Sequence, residues 1–217
     1  MIKKIYQMNN FKNQNSNSHN IQISNLKLED LDSYLKIEFD AFFEKIKFIF
    51  GSNKDAAYSV IKSEITTNID TGRYYNAIID GKIVGIIEIV TRENIKSYTR
   101  NFRTFVKYLG FFRAVKAFIL TFLEAPNIDS KTIYIDNVAV DINSRRKGIA
   151  KKMLTFVEDF AKRYRKSVLK LWVTGKNKNA YSLYKKFGFN QLVVRSSWIA
   201  ERYTGYRDWI YMKKEIL

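Results

Sequence analysis

The run Ile133-Tyr134-Ile135-Asp136-Asn137-Val138-Ala139-Val140 passes directly into Asp141-Ile142-Asn143-Ser144-Arg145-Arg146-Lys147-Gly148-Ile149-Ala150, and this junction decides the fold. The first part is rich in β-branched residues and predicts a strand that ends at Val140. A polar loop follows, and a helix opens near Gly148 and continues to Arg165. A helix N-terminus presents unpaired amide groups and the positive end of the macrodipole, and Gly148 and Ala150 leave room for close approach. The junction therefore reads as an anion cradle, to which Arg145, Arg146 and Lys147 add positive charge suited to a pyrophosphate. By itself the same Arg-Arg-Lys-Gly run also suits an ordinary basic turn. Neither Gly-x-x-x-x-Gly-Lys nor Gly-x-Gly-x-x-Gly is present here, so a nucleotide-like ligand is held in some other way.

Downstream, residues 168–173 read as a short buried strand, 179–187 as a helix, 189–195 as β again and 208–213 as a last strand. Upstream, residues 21–23 alternate like a strand. Leu28, Leu31, Leu35, Phe39, Phe42 and Phe43 recur at helical spacing over residues 28–47, and a second helix is expected over 55–69. Two β-rich runs, 73–79 and 82–90, flank Asp80-Gly81, which predicts a hairpin because glycine accepts the positive φ of a primed turn. Strands alternating with helices argue for an α/β layer with parallel pairs, and the hairpin makes the sheet mixed.

Residues 96–124 are aromatic and basic and predict two helices broken near Gly110-Phe111. Arg100, Arg103, Lys107, Arg113 and Lys116 interrupt the apolar run too often for a membrane span. A helical insertion packed on the sheet beside the cleft is the first reading, an interfacial amphipathic helix the second and a partner-binding face the third.

The 217 residues suit one domain with additions: a polar tail over residues 1–20 and a folded unit over 21–217 that includes the 96–124 stretch. The tail has Lys3 and Lys4 but no apolar core behind them, so it does not read as a secretory signal. With 46% hydrophobic residues, only 9 Gly and 1 Pro, the chain is globular rather than collagen-like or disordered. The absence of cysteine removes disulfides, cysteine-based zinc sites and thiol nucleophiles, and it fits a reducing, cytoplasmic setting. His19 is the only imidazole and lies among Asn, Ser and Gln, which argues against a catalytic triad or a His-rich metal site. Lys and Arg exceed Asp and Glu by 38 − 21, giving +17, a surface that attracts phosphates, nucleic acid, acidic proteins or anionic lipid. The positive residues are spread along the chain, which disfavours nucleic acid.

The strand ending in Val140 and the following Arg145-Arg146-Lys147-Gly148-Ile149-Ala150 resemble the acyl-CoA-binding motif of the GNAT N-acetyltransferase superfamily, Arg/Gln-x-x-Gly-x-Gly/Ala. The segment Asn177-Lys178-Asn179-Ala180-Tyr181-Ser182-Leu183-Tyr184-Lys185-Lys186-Phe187-Gly188-Phe189 is similar to that superfamily's Asn-x-x-Ala-x-x-Leu-Tyr-x-x-x-Gly-Phe signature at every named position. The resemblance extends in outline over residues 21–217, and only 96–124 and 196–207 depart from the minimal pattern. It implies a mixed, mostly antiparallel sheet splayed beside the cofactor strand, with helices on both faces. It implies acetyl-CoA as co-substrate without a metal, and a primary amine as acceptor in a ternary complex. Peptide N-terminus, lysine and small amine all remain open as that acceptor.

Residue by residue, the resemblance implies that Val138, Ala139 and Val140 run beside the pantetheine arm. Val138 and Val140 offer it backbone groups. Residues Arg145, Arg146, Lys147, Gly148, Ile149 and Ala150 would hold the pyrophosphate, and Asn177 would bond the pantetheine side. Tyr184 would face the thioester sulfur, where a phenol suits proton donation to the departing thiolate. Asp136 is the first candidate for the base that accepts the amine proton and Glu88 the second. The alternative function is a non-catalytic acyl-CoA-binding or nucleic-acid-binding module that uses the basic surface, and peripheral membrane contact and a monomeric or homodimeric state complete the set of expectations.

Overall fold

The computed structural model describes residues 20–95, 101–123, 126, 128–198, 201–202 and 206–216. The tail expected over residues 1–20 falls, except for Asn20, outside the described residues, as do parts of the 96–124 and 196–207 stretches. In chain order the elements are β1 (Gln22–Asn25), α1 (Leu31–Phe50), α2 (Lys54–Asn68), β2 (Tyr74–Ile79), β3 (Lys82–Val90), α3 (Phe102–Leu109), α4 (Phe111–Leu123), β4 (Thr132–Val140), α5 (Ile149–Arg163), β5 (Val168–Thr174), α6 (Lys178–Lys186), β6 (Asn190–Ser196) and β7 (Asp208–Glu215). The seven strands form one sheet in the order β1-β2-β3-β4-β5-β7-β6. Every neighbouring pair is antiparallel except β4 with β5. The mixed, mostly antiparallel sheet expected from the sequence is present.

Asp80 and Gly81 both take positive φ, 49° and 74°, between β2 and β3. This is the backbone that a two-residue hairpin needs to match the strand twist, and only Gly or a short polar residue adopts it cheaply. One face of the sheet packs Ile87, Ile89, Ile133, Ile135, Leu169 and Leu171 against Met153, Leu154, Val157 and Phe160 of α5 and Phe189 after α6. The other packs Tyr74, Ile86 and Ala139 against α1 and α2, with Phe105 and Leu109 of α3 and Ala114 and Ala117 of α4 in the same cluster. Burying each large aliphatic or aromatic side chain contributes roughly 1.5–3 kcal/mol, so the two faces together hold the sheet against its entropy of ordering. The stretch expected to pack on the sheet thus also shares its core with the α1–α2 layer.

The helical stripe expected on α1 needs correction. Leu28 precedes the helix in a 3-10 turn and is 61% exposed, and Phe39, Phe42 and Phe43 are only half-buried. Tyr34, Leu35, Ile37, Glu38 and Ile46 are buried instead. The physical reason is a kink: Phe42 has φ −121° and ψ 22°, which rotates the second half of the helix relative to the first and turns Phe42 toward a cleft.

That cleft follows from a defect in β4. Glu88 pairs with Asn137 and Ile89 with Ile135, so Asp136 is an extra residue opposite β3, a bulge that bends its strand. β4 and β5 pair only from Thr132 with Val168 to Ile135 with Leu171. Beyond the bulge, β4 stays with β3 and β5 stays with β7, and the sheet opens between them.

Candidate active site

At the far end of the opened strand, the chain turns into α5 through two left-handed residues, Arg146 (φ 67°) and Gly148 (φ 79°). The Asp141 carboxylate accepts from the Asn143 backbone N–H at 3.0 Å, and Arg145 Nε donates to the Val140 carbonyl at 3.2 Å, so the loop folds back on the strand end. No side chain caps α5, whose first amides therefore stay available, and Arg145, Arg146, Lys147 and Gly148 are all exposed. A Cβ built on Gly148 meets no atom within 4 Å, so there is space above the helix end. Residues 145–152 include four Lys and Arg besides Lys147 and no acid. These features fit a pyrophosphate: free donors, a favourable dipole end and uniform charge.

Where β4 and β5 part lies a cleft of about 800 Å³. Asp136, Asn137 and Val138 line one wall, Val173, Thr174, Asn177, Ala180 and Tyr184 the other, and Phe42 and Lys45 of α1 overhang it. Its floor is a cross-strand row of residues that share one face by their period of two. Trp172 pairs with Tyr211, and Trp209 with Arg195. Trp172 and Tyr211 stack at 4.7 Å, and the Arg195 guanidinium lies 5.3 Å from the Trp172 ring centre.

Tyr184 stands on the α6 side of the sheet, buried against Phe189 at 5.8 Å between ring centres, and reaches the cleft through the gap. Burial pushes its phenol up from the ordinary value to about 12. Burial, reinforced by the Glu38 carboxylate, also raises the Tyr34 phenol. Both groups bind their protons more tightly in the fold than in the unfolded chain. Their contribution is fully present below the ordinary tyrosine value and is lost as pH rises through the raised one. For Tyr184 the shift corresponds to about 2–3 kcal/mol lost between pH 10 and 12. Thermal unfolding followed across that range is expected to show this loss, and Tyr184→Phe to flatten it; an unchanged slope in the variant contradicts the assignment.

The inner end of the cleft leads to a second, smaller chamber of about 60 Å³, with Phe42, Lys45, Asp136 and Asn137 lining both. Four carboxylates, Glu38, Glu64, Glu88 and Asp136, face it together with two cations, Lys45 and Arg73. The buried Arg73 guanidinium donates from Nε to Glu88 Oε1 and pairs through its terminal nitrogen with the same carboxylate. It also lies 3.8 Å from Asp136 Oδ2, and Asn137 Nδ2 donates to Glu88 Oε2 at 2.9 Å. Both oxygens of Glu88 are thus engaged, whereas Asp136 sits at the boundary between chamber and cleft. Among the described residues, no group of three or more His, Cys, Asp and Glu is arranged to hold a metal ion.

The model of the acetyltransferase (GNAT) family matches residues 39–189, well over half of the chain. The chain belongs to this family. A solved acetyltransferase structure superposes with TM-score 0.64 at 20% identity, covering 90% of this chain and 99% of its own. The ribosomal-protein-alanine N-acetyltransferase from Brucella melitensis gives 0.59 at 18% identity, over 90% and 99%. The ribosomal-protein-S18-alanine N-acetyltransferase from Escherichia coli gives 0.54 at 19%, over 90% and 94%. Identities this low speak for the shared fold. No curated protein matches the chain by sequence.

In this GNAT acetyltransferase, the structure brings Asp136, Val138, Asn177 and Tyr184 to one cleft and places residues 145–150 at the helix start. Val140 ends its strand with its carbonyl held by Arg145, Ala139 is buried toward α1, and Ile149 packs beneath the sheet next to Gly85. Glu88 faces the inner chamber rather than the cleft. Asn177 caps α6, its Oδ1 accepting from the Ala180 N–H at 3.1 Å, so that oxygen serves the helix. Sequence reasoning missed Arg73, Asn137 and the Trp172–Tyr211 floor. Their only sequence signal is that polar and aromatic residues interrupt strands that otherwise read as apolar.

Proposed function

We propose that this acetyltransferase transfers the acetyl group of acetyl-CoA to a primary amine by direct attack, with both substrates bound together. The observation that carries the reading is that the β4 edge left unpaired beyond Ile135 has the cleft with Asp136, Val138 and Tyr184 at its start and leads in sequence to the uncapped α5 start. Acetyl-CoA supplies an acetyl group already activated as a thioester. The residues 145–150 hold the pyrophosphate through amide groups and exposed cations, and the β4 edge at Val138 and Val140 offers the pantetheine arm backbone partners like an added strand. Asn177 borders the same arm with the amide nitrogen that its cap leaves over. Tyr184, kept neutral, donates a hydrogen bond where the thiolate charge develops, and Asp136 takes the proton from the incoming amine, directly or through water.

The acceptor enters over the aromatic floor, and the carboxylates behind Asp136 draw a cationic ammonium inward even though the protein carries +17 overall. We favour a peptide N-terminus over a small polycation. The cleft extends to Val193 and Arg195 of β6 and Trp209 and Tyr211 of β7, and two fold relatives are named for acetylating a protein alanine.

Gly148→Glu tests the cradle. The side chain finds open space and costs about 1 kcal/mol of left-handed strain, but it puts a negative charge on the phosphate position. Calorimetric titration with acetyl-CoA is expected to show binding by the native chain and at least a hundredfold loss in the variant, with thiol release from a peptide and amine panel falling in parallel. Equal binding by both proteins removes the α5 start from the donor site.

A further inference from the structure

The corner between α3 and α4 is not used by the proposed chemistry. Gly110 (φ 74°) ends one helix and begins the next, which places Phe111 and Phe112 at the apex, 60% and 88% exposed. Phe112, Lys116 and Ile119 follow at i, i+4 and i+7 and so share one face of α4, and Ile119 is 52% exposed. The opposite face, with Ala114, Ala117 and Thr121, is buried. Solvent-facing cations surround the apolar surface: Arg103, Lys107, Arg113 and Lys116 are all exposed, and residues 101–123 contain no Asp or Glu. Scattered exposed apolar residues are ordinary, but two adjacent exposed Phe inside a rim of one charge sign are not.

We propose that the α3–α4 corner docks the enzyme on an anionic lipid surface, with Phe111 and Phe112 entering at headgroup depth and the four cations over the lipid phosphates. Charge complementarity and shape both favour this occupant. The rim is uniformly basic, as an anionic bilayer requires. The apex projects into open space: a Cβ on Gly110 meets no atom within 4 Å, and the Phe112 side chain is 88% exposed. No helix among the described residues is long and apolar enough to cross a membrane, so the contact is interfacial. Thr121 of α4 lines the inner chamber, nine residues from Phe112, or about 13 Å along the helix. Docking at the apex therefore leaves the cleft above the lipid surface and open to an amine presented there.

The test is co-sedimentation of the full chain with vesicles of phosphatidylcholine alone or mixed with phosphatidylglycerol. Three proteins are compared: native, Phe111→Ser/Phe112→Ser and Lys107→Glu/Arg113→Glu. All four side chains are exposed and lie outside the proposed machinery, so thermal unfolding and acetyl-CoA turnover without vesicles are expected to match the native protein. Binding is expected on the anionic vesicles only, weakened at least tenfold by either double substitution. Native-level binding by the Phe variant assigns any affinity to the overall +17 charge and overturns the proposal. So does failure of the native chain to bind, or a Phe-dependent dimer in solution that ignores vesicles.

Discussion

Replacing Tyr184 with Phe is expected to lower kcat about a hundredfold while acetyl-CoA affinity changes less than threefold, an effect in the usual range for removing one hydrogen-bond donor aimed at developing charge. The ring is buried beside Phe189 and within the α5–α6 core, so Phe keeps the packing and the variant folds. Only the hydroxyl leaves, and it reaches the cleft where β4 and β5 part. With its proton held up to about 12, the phenol stays neutral across the working pH range. It therefore acts as a hydrogen-bond donor rather than as a titrating acid, and kcat in the native enzyme should show no limb from this group below that value. Steady-state kinetics with calorimetric titration checks the split between kcat and affinity. Unchanged kcat leaves Tyr184 as a core aromatic and hands stabilisation of the departing thiolate to solvent.

The α5 start could be picked out in the sequence as a candidate cradle because a strand-to-helix turn is a contiguous segment, and Tyr184 as a candidate because one contiguous segment carries the whole family signature it resembles. The Asp80-Gly81 hairpin was legible for the same reason. What the sequence hid depends on partners far apart in the chain. Arg73 meets Glu88 fifteen residues on, and Asn137 meets Glu88 at a separation of 49. Both contacts depend on strand register and on the bulge at Asp136, which no local pattern announces. The kink at Phe42 was hidden too, since periodicity in α1 assumes a straight helix. Glu88 shows the consequence for the site: as an acid on a hairpin strand it competed with Asp136 for the role of base, and only the pairing across the sheet shows its oxygens already engaged.

That pairing makes Arg73→Met the substitution with the largest expected effect on stability. Arg73 is 4% exposed and stands between Glu88 and Asp136, so its loss removes the guanidinium that engages the buried Glu88 carboxylate and separates it from Asp136. Removing one member of such a pair costs about 3–5 kcal/mol, far more than the pair's net worth against an apolar replacement. Denaturant unfolding at neutral pH should report a loss of that size, with a smaller loss for Arg73→Lys, which keeps the charge but not the planar fork. Adding Glu88→Gln to Arg73→Met should recover part of the stability, since the double variant no longer buries the unpaired charge. Activity separates the two carboxylates further: if Asp136 is the base and Glu88 only holds Arg73 in place, the double variant regains stability yet stays slow, because Asp136 has lost the guanidinium that orients it. Full recovery of both would reduce the cluster to a structural ion pair, and an Arg73→Met chain within about 1 kcal/mol of native would show that water reaches the chamber freely enough to solvate both acids.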